Sequence, residues 1–235
     1  MKRSMLQSFI VALNGVAVTF RTQKHMRFHL FVSLFLVLLA LFMGLSVREV
    51  VILLFMMTLV LAAEMFNSAI EATVDLIQPN YHPLAKTAKD IAAGAVLLTT
   101  ILSLVVGAVL FLGESRWETI RANLTSPGLQ PSFTFRLVLG MFMLFTIIVI
   151  GKGMGKKGQV LKGGLVSGHA AFAFFFAIGI MALTDQWLVS ALAIILASIV
   201  AQSRWEAKIH TIYELVLGAT AGTLVGLAIF VLIPK

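Results

Sequence analysis

Long apolar runs separated by short polar connections dominate the chain. Seven of them approach the ~20 residues that a membrane-crossing helix needs. They fall at about 28–45, 50–76, 91–112, 133–150, 168–184, 187–202 and 212–233. Gly, Ala, Met and Phe occur throughout these runs without polar alternation, so they read as helices rather than barrel strands. Residues 4–24 differ, because Gln7, Asn14, Arg21 and Gln23 interrupt the apolar positions. That mixture predicts an amphipathic helix lying on the membrane surface. A signal peptide is the rival reading, opposed by the broken apolar run and the absence of a small-residue cleavage site. The expected fold is an all-α integral membrane protein: an N-terminal surface helix followed by about seven transmembrane helices.

Composition supports this class. Of 235 residues, 60% are apolar and 12% charged, and the mean hydropathy is +1.01. A soluble domain of this size has too little interior for so much apolar surface. A soluble enzyme, a disordered chain and a fibrous protein are thereby excluded. The chain has no cysteine, which rules out disulfides and thiolate metal sites. The net charge of +8 suits topology or contact with anionic lipid better than nucleic acid. With the N-terminus in the cytoplasm and spans alternating, 13 of the 18 Lys and Arg residues fall inside, as the positive-inside rule favours. The longest hydrophilic stretch, residues 114–132, contains Pro127, Gly128 and Pro131 and reads as a linker between residues 1–113 and 133–235. The two parts do not read as repeats.

Chemistry in the first part centres on buried acids. The chain has only ten acidic residues, and Glu64, Glu71 and Asp75 lie in or at the end of the second run. Carboxylates are costly at membrane depth and call for a reason. At about 100° per residue, Glu64, Asn67, Glu71 and Asp75 share an arc of about 80°. Oxygens on one face, near a basic segment, suit a hard cation such as Mg²⁺. A polar seam between helices is the structural alternative. The following stretch, residues 81–96, is read as a loop carrying Lys86, Lys89 and Asp90. Lysines beside Mg²⁺-binding carboxylates suggest a nucleoside triphosphate, though topological anchoring would also explain them.

These residues carry a resemblance. SFIVALNGV (8–16), EMFNSAIEATVDLI (64–77) and YHPLAKTAKDIAAGAVL (81–97) resemble the small prokaryotic diacylglycerol kinase and undecaprenol kinase family over about residues 4–113. The resemblance implies a surface helix with three spans, a homotrimer with sites between subunits, and ATP with Mg²⁺. It implies a lipid alcohol as acceptor, in a bacterial plasma membrane. It makes Glu64 the general base, has Asn67 and Glu71 hold metal and phosphates, and puts Lys89 and Asp90 on the nucleotide. YHPLAK and RFH (27–29) stand closer to the undecaprenol kinases. In TQKHMRFH (22–29), Gln23 replaces a family Glu that shares the metal with Glu71, and an amide is the weaker Mg²⁺ ligand.

In the second part the polar residues cluster in GKGMGKKGQVLKGG (151–164), VSGH (166–169) and SRWEAKIHTIYE (203–214). Alternation of spans puts all three on the cytoplasmic side. Two histidines among cations, without an acid cluster, suit phosphate-ester cleavage, one His attacking phosphorus and the other protonating the leaving oxygen. For Lys152–Lys162 alone, a positive-inside loop is the better reading. This part resembles the type 2 phosphatidic acid phosphatase superfamily over about residues 133–233. Ser167, Gly168 and His169 match its second motif, with Val166 in place of Pro. Ser203, Arg204, His210 and Glu214 match its third. The resemblance makes His210 the nucleophile, Glu214 its orienting acid and His169 the general acid. Ser167, Gly168 and Arg204 would bind phosphate without any cofactor. The first motif is not intact, and Lys157 and Lys162 are the candidates to replace its lysine.

The expected protein joins three kinase-like spans to four phosphatase-like ones. Undecaprenol or its phosphate is the first expected substrate, with diacylglycerol and phosphatidic acid second. A chain with one active part, and a non-catalytic lipid-binding scaffold, remain the alternatives.

Overall fold

The computed structural model describes residues 5–43, 45–113, 132–154 and 165–232. Every regular element among them is helical: α1 (Met5–Thr22), α2 (Lys24–Phe42), α3 (Val47–Ile77), α4 (Pro83–Leu112), α5 (Phe133–Met154), α6 (Gly168–Leu183), α7 (Trp187–Glu206) and α8 (Ile212–Gly226). A π-helical segment, Leu227–Leu232, continues α8. Among the described residues six helices are long and apolar enough to cross a membrane: α2, α3, α4, α5, α7 and α8 with its extension. The fifth apolar run, expected to be a seventh span, forms the 16-residue α6. At 1.5 Å per residue it is about 24 Å long, short of the ~30 Å hydrocarbon layer.

The described residues form two compact units. One comprises Thr22–Leu129, the other Met1–Arg21 with Gln130–Lys235. This division differs from the expected domains at the N-terminus, where α1 groups with the C-terminal helices. In the Thr22–Leu129 unit, α3 packs on α2 and α4. The helix α3 starts on a capping box, in which Ser46 N donates to Glu49 Oε2 at 2.6 Å. It runs 31 residues because nothing between Val47 and Ile77 is Gly or Pro.

In the other unit, α6 is the central element and packs on α5, α7 and α8. Phe175 of α6 is fully buried, its ring 5.3 Å from that of Phe230. Against α7 the contact is made by alanines, with Ala177 opposite Ala193 and Ala197. Against α8 it is closer still. A Cβ at Gly218 would lie 2.4 Å from the Ser167 carbonyl oxygen, and one at Gly222 2.0 Å from that of Ala171. Only glycine permits backbones to approach this far, the general use of small residues four apart on membrane helices.

Candidate functional site

The sequence-predicted residues fall into two groups, one in each unit. In the Thr22–Leu129 unit, the unbroken α3 keeps Glu64, Asn67, Glu71 and Asp75 on one face. Burial falls along it: Glu64 is 3% exposed, Asn67 9%, Glu71 is half-buried and Asp75 exposed. Asn67 Nδ2 donates to Glu71 Oε1 at 3.1 Å. Its Oδ1 is buried with no partner. A buried acceptor without a donor costs about 1–3 kcal/mol, so this oxygen is a place for a cation or a donor to complete. His25 and Glu71 are the ionisable neighbours of Glu64. His25 lies in the first turn of α2, two residues after Gln23, which is that helix's N-cap and makes no capping hydrogen bond through its side chain.

Lys86, Lys89 and Asp90 are not in a loop, as the sequence suggested, but in the first turns of α4. His82 caps that helix through Nδ1, which accepts from Leu84 N at 3.2 Å, and Pro83 occupies the first turn. Helical spacing then pairs Lys86 with Asp90 at 2.9 Å. Lys89 pairs across the turn with Asp75 of α3. A cavity of about 390 Å³ opens there, lined by Asp75, Asn80, Tyr81, Lys86 and Lys89 among others. Among the described residues no three His, Asp or Glu side chains form a metal-binding cluster. Mg²⁺ does not require one, since it commonly takes one or two carboxylates and fills its shell with water and substrate phosphates. Glu71 and the unpartnered Asn67 Oδ1 fit that role.

In the other unit, four helix ends meet: the C-termini of α5 and α7 and the N-termini of α6 and α8. Leu165 N donates to Gly151 O at 3.3 Å, Ser167 N to Glu214 O at 2.9 Å, and His210 N to Arg204 O at 3.4 Å. The α8 terminus is a capping box between Thr211 and Glu214. The Glu214 carboxylate accepts from Thr211 N at 3.4 Å and lies 2.7 Å from His210 Nδ1. With the carboxylate as acceptor, Nδ1 carries the hydrogen and Nε2 keeps its lone pair. His210 is 5% exposed. It lines a groove of about 290 Å³ together with Trp205, Lys208 and Glu214. Lys208, in the turn leading to His210, has a left-handed backbone with φ 54°.

Ser167, fully buried, is the N-cap of α6, and its side chain accepts from Ala170 N at 3.5 Å. Gly168 and His169 follow in the first turn, where backbone N–H groups favour an anion. The ionisable neighbours of His169 are Arg204, His210 and Lys152. Lys157 and Lys162 lie outside the described residues. Lys152, read from sequence as a topological charge, is instead 3% exposed, with Glu214 as its charged neighbour. Sequence reasoning also passed over His25, the Asp75–Lys89 pair and Gly218. The four-residue spacing of Gly218 and Gly222 was a readable signal for the last.

Residues 10–111 match the family described as prokaryotic diacylglycerol kinase. An undecaprenol kinase of Bacillus subtilis (strain 168) is 38% identical over 45% of this chain and 86% of that protein. A diacylglycerol kinase of Synechocystis sp. is 41% identical over 46% of this chain and 63% of that protein. One from Haemophilus influenzae is 31% identical over 46% of this chain and 92% of that protein. No solved structure matches the chain.

Proposed function

The chain belongs to the prokaryotic diacylglycerol kinase family, and from that premise we propose that it phosphorylates a membrane lipid alcohol with ATP, undecaprenol first and diacylglycerol second. The observation that carries this reading is the α3 face, with buried Glu64 leading to Asn67, its unpartnered Oδ1, and Glu71. Glu64 acts as the base. Its carboxylate takes the proton of the lipid hydroxyl, whose oxygen attacks the terminal phosphorus of ATP as the bond from that phosphorus to the bridging oxygen breaks and ADP leaves. Asn67 and Glu71 hold the metal, with Gln23 a weaker third donor. Mg²⁺, when bound, neutralises phosphate charge as the phosphoryl group is transferred. Lys89 exchanges its ion pair with Asp75 for the nucleotide phosphates, and Asp90 fixes Lys86 beside them. Residues from a second copy of the chain would complete the site in a homotrimer. Glu64→Gln tests the base: lipid phosphorylation should be lost while the protein remains folded in detergent. Unchanged turnover would remove Glu64 from that role.

A specific observation favours a second activity, hydrolysis of a lipid phosphate by residues 133–235. His210 Nδ1 sits 2.7 Å from Glu214, whose backbone carbonyl also accepts from Ser167 N. This tie sets the nucleophile beside the α6 terminus. His210 Nε2 attacks phosphorus as the bond to the lipid oxygen breaks, and His169 gives its proton to that oxygen. Glu214 offsets the charge that grows on the His210 ring. Arg204, Ser167 and the Gly168 backbone hold the remaining phosphate oxygens. Water then hydrolyses the phosphohistidine and returns His210. Dephosphorylation in EDTA that is abolished by His210→Ala and by His169→Ala is the expected result. Strong inhibition by EDTA would exclude the mechanism.

A further inference from the structure

The helix α1 lies mostly inside the stretch that matches the kinase family, yet its last turn packs on the C-terminal helix α5. Arg21 Nη2 donates to the Lys152 backbone oxygen at 2.9 Å. One residue on, a Cβ at Gly153 would fall 1.9 Å from the Phe20 ring, so the buried ring lies directly on the glycine backbone. The last turn of α5 is thus held from the α1 side through Lys152 O and Gly153. On the other side the same turn is tied to the approach to α6. Gly151 O accepts from Leu165 N at 3.3 Å, and a Cβ at Gly151 would meet Val166 at 2.7 Å. Val166 directly precedes Ser167, Gly168 and His169. Lys152 stands between the two fastenings, and its side chain is buried. A buried ammonium is costly unless a counter-charge faces it, and Glu214 is its charged neighbour here.

We propose that α1 is a positioning element of the C-terminal site: Phe20 and Arg21 fix the end of α5 so that Lys152 faces the His169, His210 and Glu214 group and contributes to binding an anionic phosphate ester there. This rests on the phosphatase reading above. Lys152 supplies the cation that the sequence assigned to Lys157 or Lys162. Arg21 acts through Lys152 and touches no substrate. A further consequence is that residues 1–21 cannot be removed from the chain without loss in its C-terminal part.

A double-mutant cycle on the full chain in detergent tests this, with EDTA present and no ATP so that the kinase reaction is silent. Hydrolysis of a short-chain phosphatidic acid is followed for wild type, Arg21→Ala, Lys152→Met and the double variant. Lys152→Met should raise KM about tenfold or more, since a charged hydrogen-bonding partner of the phosphate is lost. Arg21→Ala should raise KM severalfold with a smaller change in kcat, and Arg21→Lys should recover part of it. The double variant should match Lys152→Met, because residues acting as one unit are not additive. Gly153→Ala, which displaces Phe20 without removing a charge, should reproduce the Arg21→Ala effect. Unfolding temperatures confirm that each variant is folded. Fully additive effects, or an Arg21→Ala variant with wild-type KM, would overturn the inference alone. If wild type neither hydrolyses the lipid nor binds orthovanadate by calorimetry, the phosphatase reading falls and the inference with it.

Discussion

Gly218→Ala presses directly on the backbone of Ser167. The added Cβ would lie 2.4 Å from the Ser167 carbonyl oxygen and 3.2 Å from Ser167 C and N, where ordinary contact begins at 3.4 Å. Both sides of the clash are backbone, so no rotamer relieves it, and α6 and α8 must separate by about 1 Å. Overpacking of this kind costs about 1–3 kcal/mol. Replacing Gly by Ala inside a helix returns about 1 kcal/mol, leaving a net loss of about 0–2 kcal/mol. The effect on chemistry should be larger. Ser167 N and Glu214 O are joined at 2.9 Å one turn from the substitution, and the same two segments deliver His169 and the Glu214–His210 pair. A misplacement of about 1 Å in a catalytic group can cost about 10²-fold in rate. The assay is metal-free hydrolysis of a lipid phosphate alongside thermal unfolding in detergent, with ATP-dependent phosphorylation on the same sample as internal control. Gly94→Ala in α4 is the matched comparison, because nothing lies within 4 Å of its Cβ position, and it should raise stability. A Gly218→Ala protein that hydrolyses at the wild-type rate and unfolds no earlier than wild type would refute the reasoning.

Three further substitutions have signed outcomes. Gln23→Glu adds a carboxylate at the N-cap of α2 and should lower the Mg²⁺ concentration for half-maximal phosphorylation; an unchanged Mg²⁺ titration places residue 23 away from the metal. Asn67→Leu removes a buried acceptor that has no partner. It also removes the Nδ2 bond to Glu71, so it should abolish phosphorylation while changing the unfolding temperature of the ligand-free protein little; a large drop would show that Asn67 is a structural tie rather than a ligand. Lys208→Gly relieves a left-handed backbone at φ 54° and should stabilise by about 0.5–1 kcal/mol, read as a rise of about 1–4 °C in unfolding temperature.

How much was legible depends on how local each feature is. The α3 face needed only helical period and an unbroken helix, and both are written in residues 64–75. The capping residues His82, Ser167 and Thr211 are equally local, and Pro83 after His82 marks a helix start inside the stretch 81–96 that its polar residues suggest is a loop. The contact between His210 and Glu214 is local too, because the two residues are one turn apart. What escaped the sequence is non-local. Arg21 and Lys152 are 131 positions apart, and no periodicity announces that the end of α1 meets the end of α5. Lys152 looked like one more charge in a basic segment, and only its burial separates it from the rest. The bounds of α6 were legible, since the apolar run at 168–184 matches the helix to within one residue, and only its standing as a full span fails on length.

Helix directions also bear on sidedness, and the consequence is testable. Within one unit, Lys89, the Asp75 end of α3 and the N-terminus of α2 lie at the same end of adjacent antiparallel helices. Within the other, Lys152, His169, Arg204 and His210 lie at the shared end of α5 to α8. A cytoplasmic N-terminus, with α4 leading out and α5 returning, puts both ends inside, where 13 of the 18 basic residues then fall. With that topology, the two proposed sites would draw on the same leaflet and would set a ratio of lipid alcohol to lipid phosphate without a flipping step. The chain has no cysteine, so single cysteines at exposed positions report sidedness directly. Asp185→Cys, between α6 and α7, should react with a membrane-impermeant maleimide in intact cells. Asn80→Cys, between α3 and α4, and Glu206→Cys, at the end of α7, should react only after lysis. Labelling of Glu206→Cys in intact cells as strong as that of Asp185→Cys would put the second site outside and separate the two reactions across the membrane.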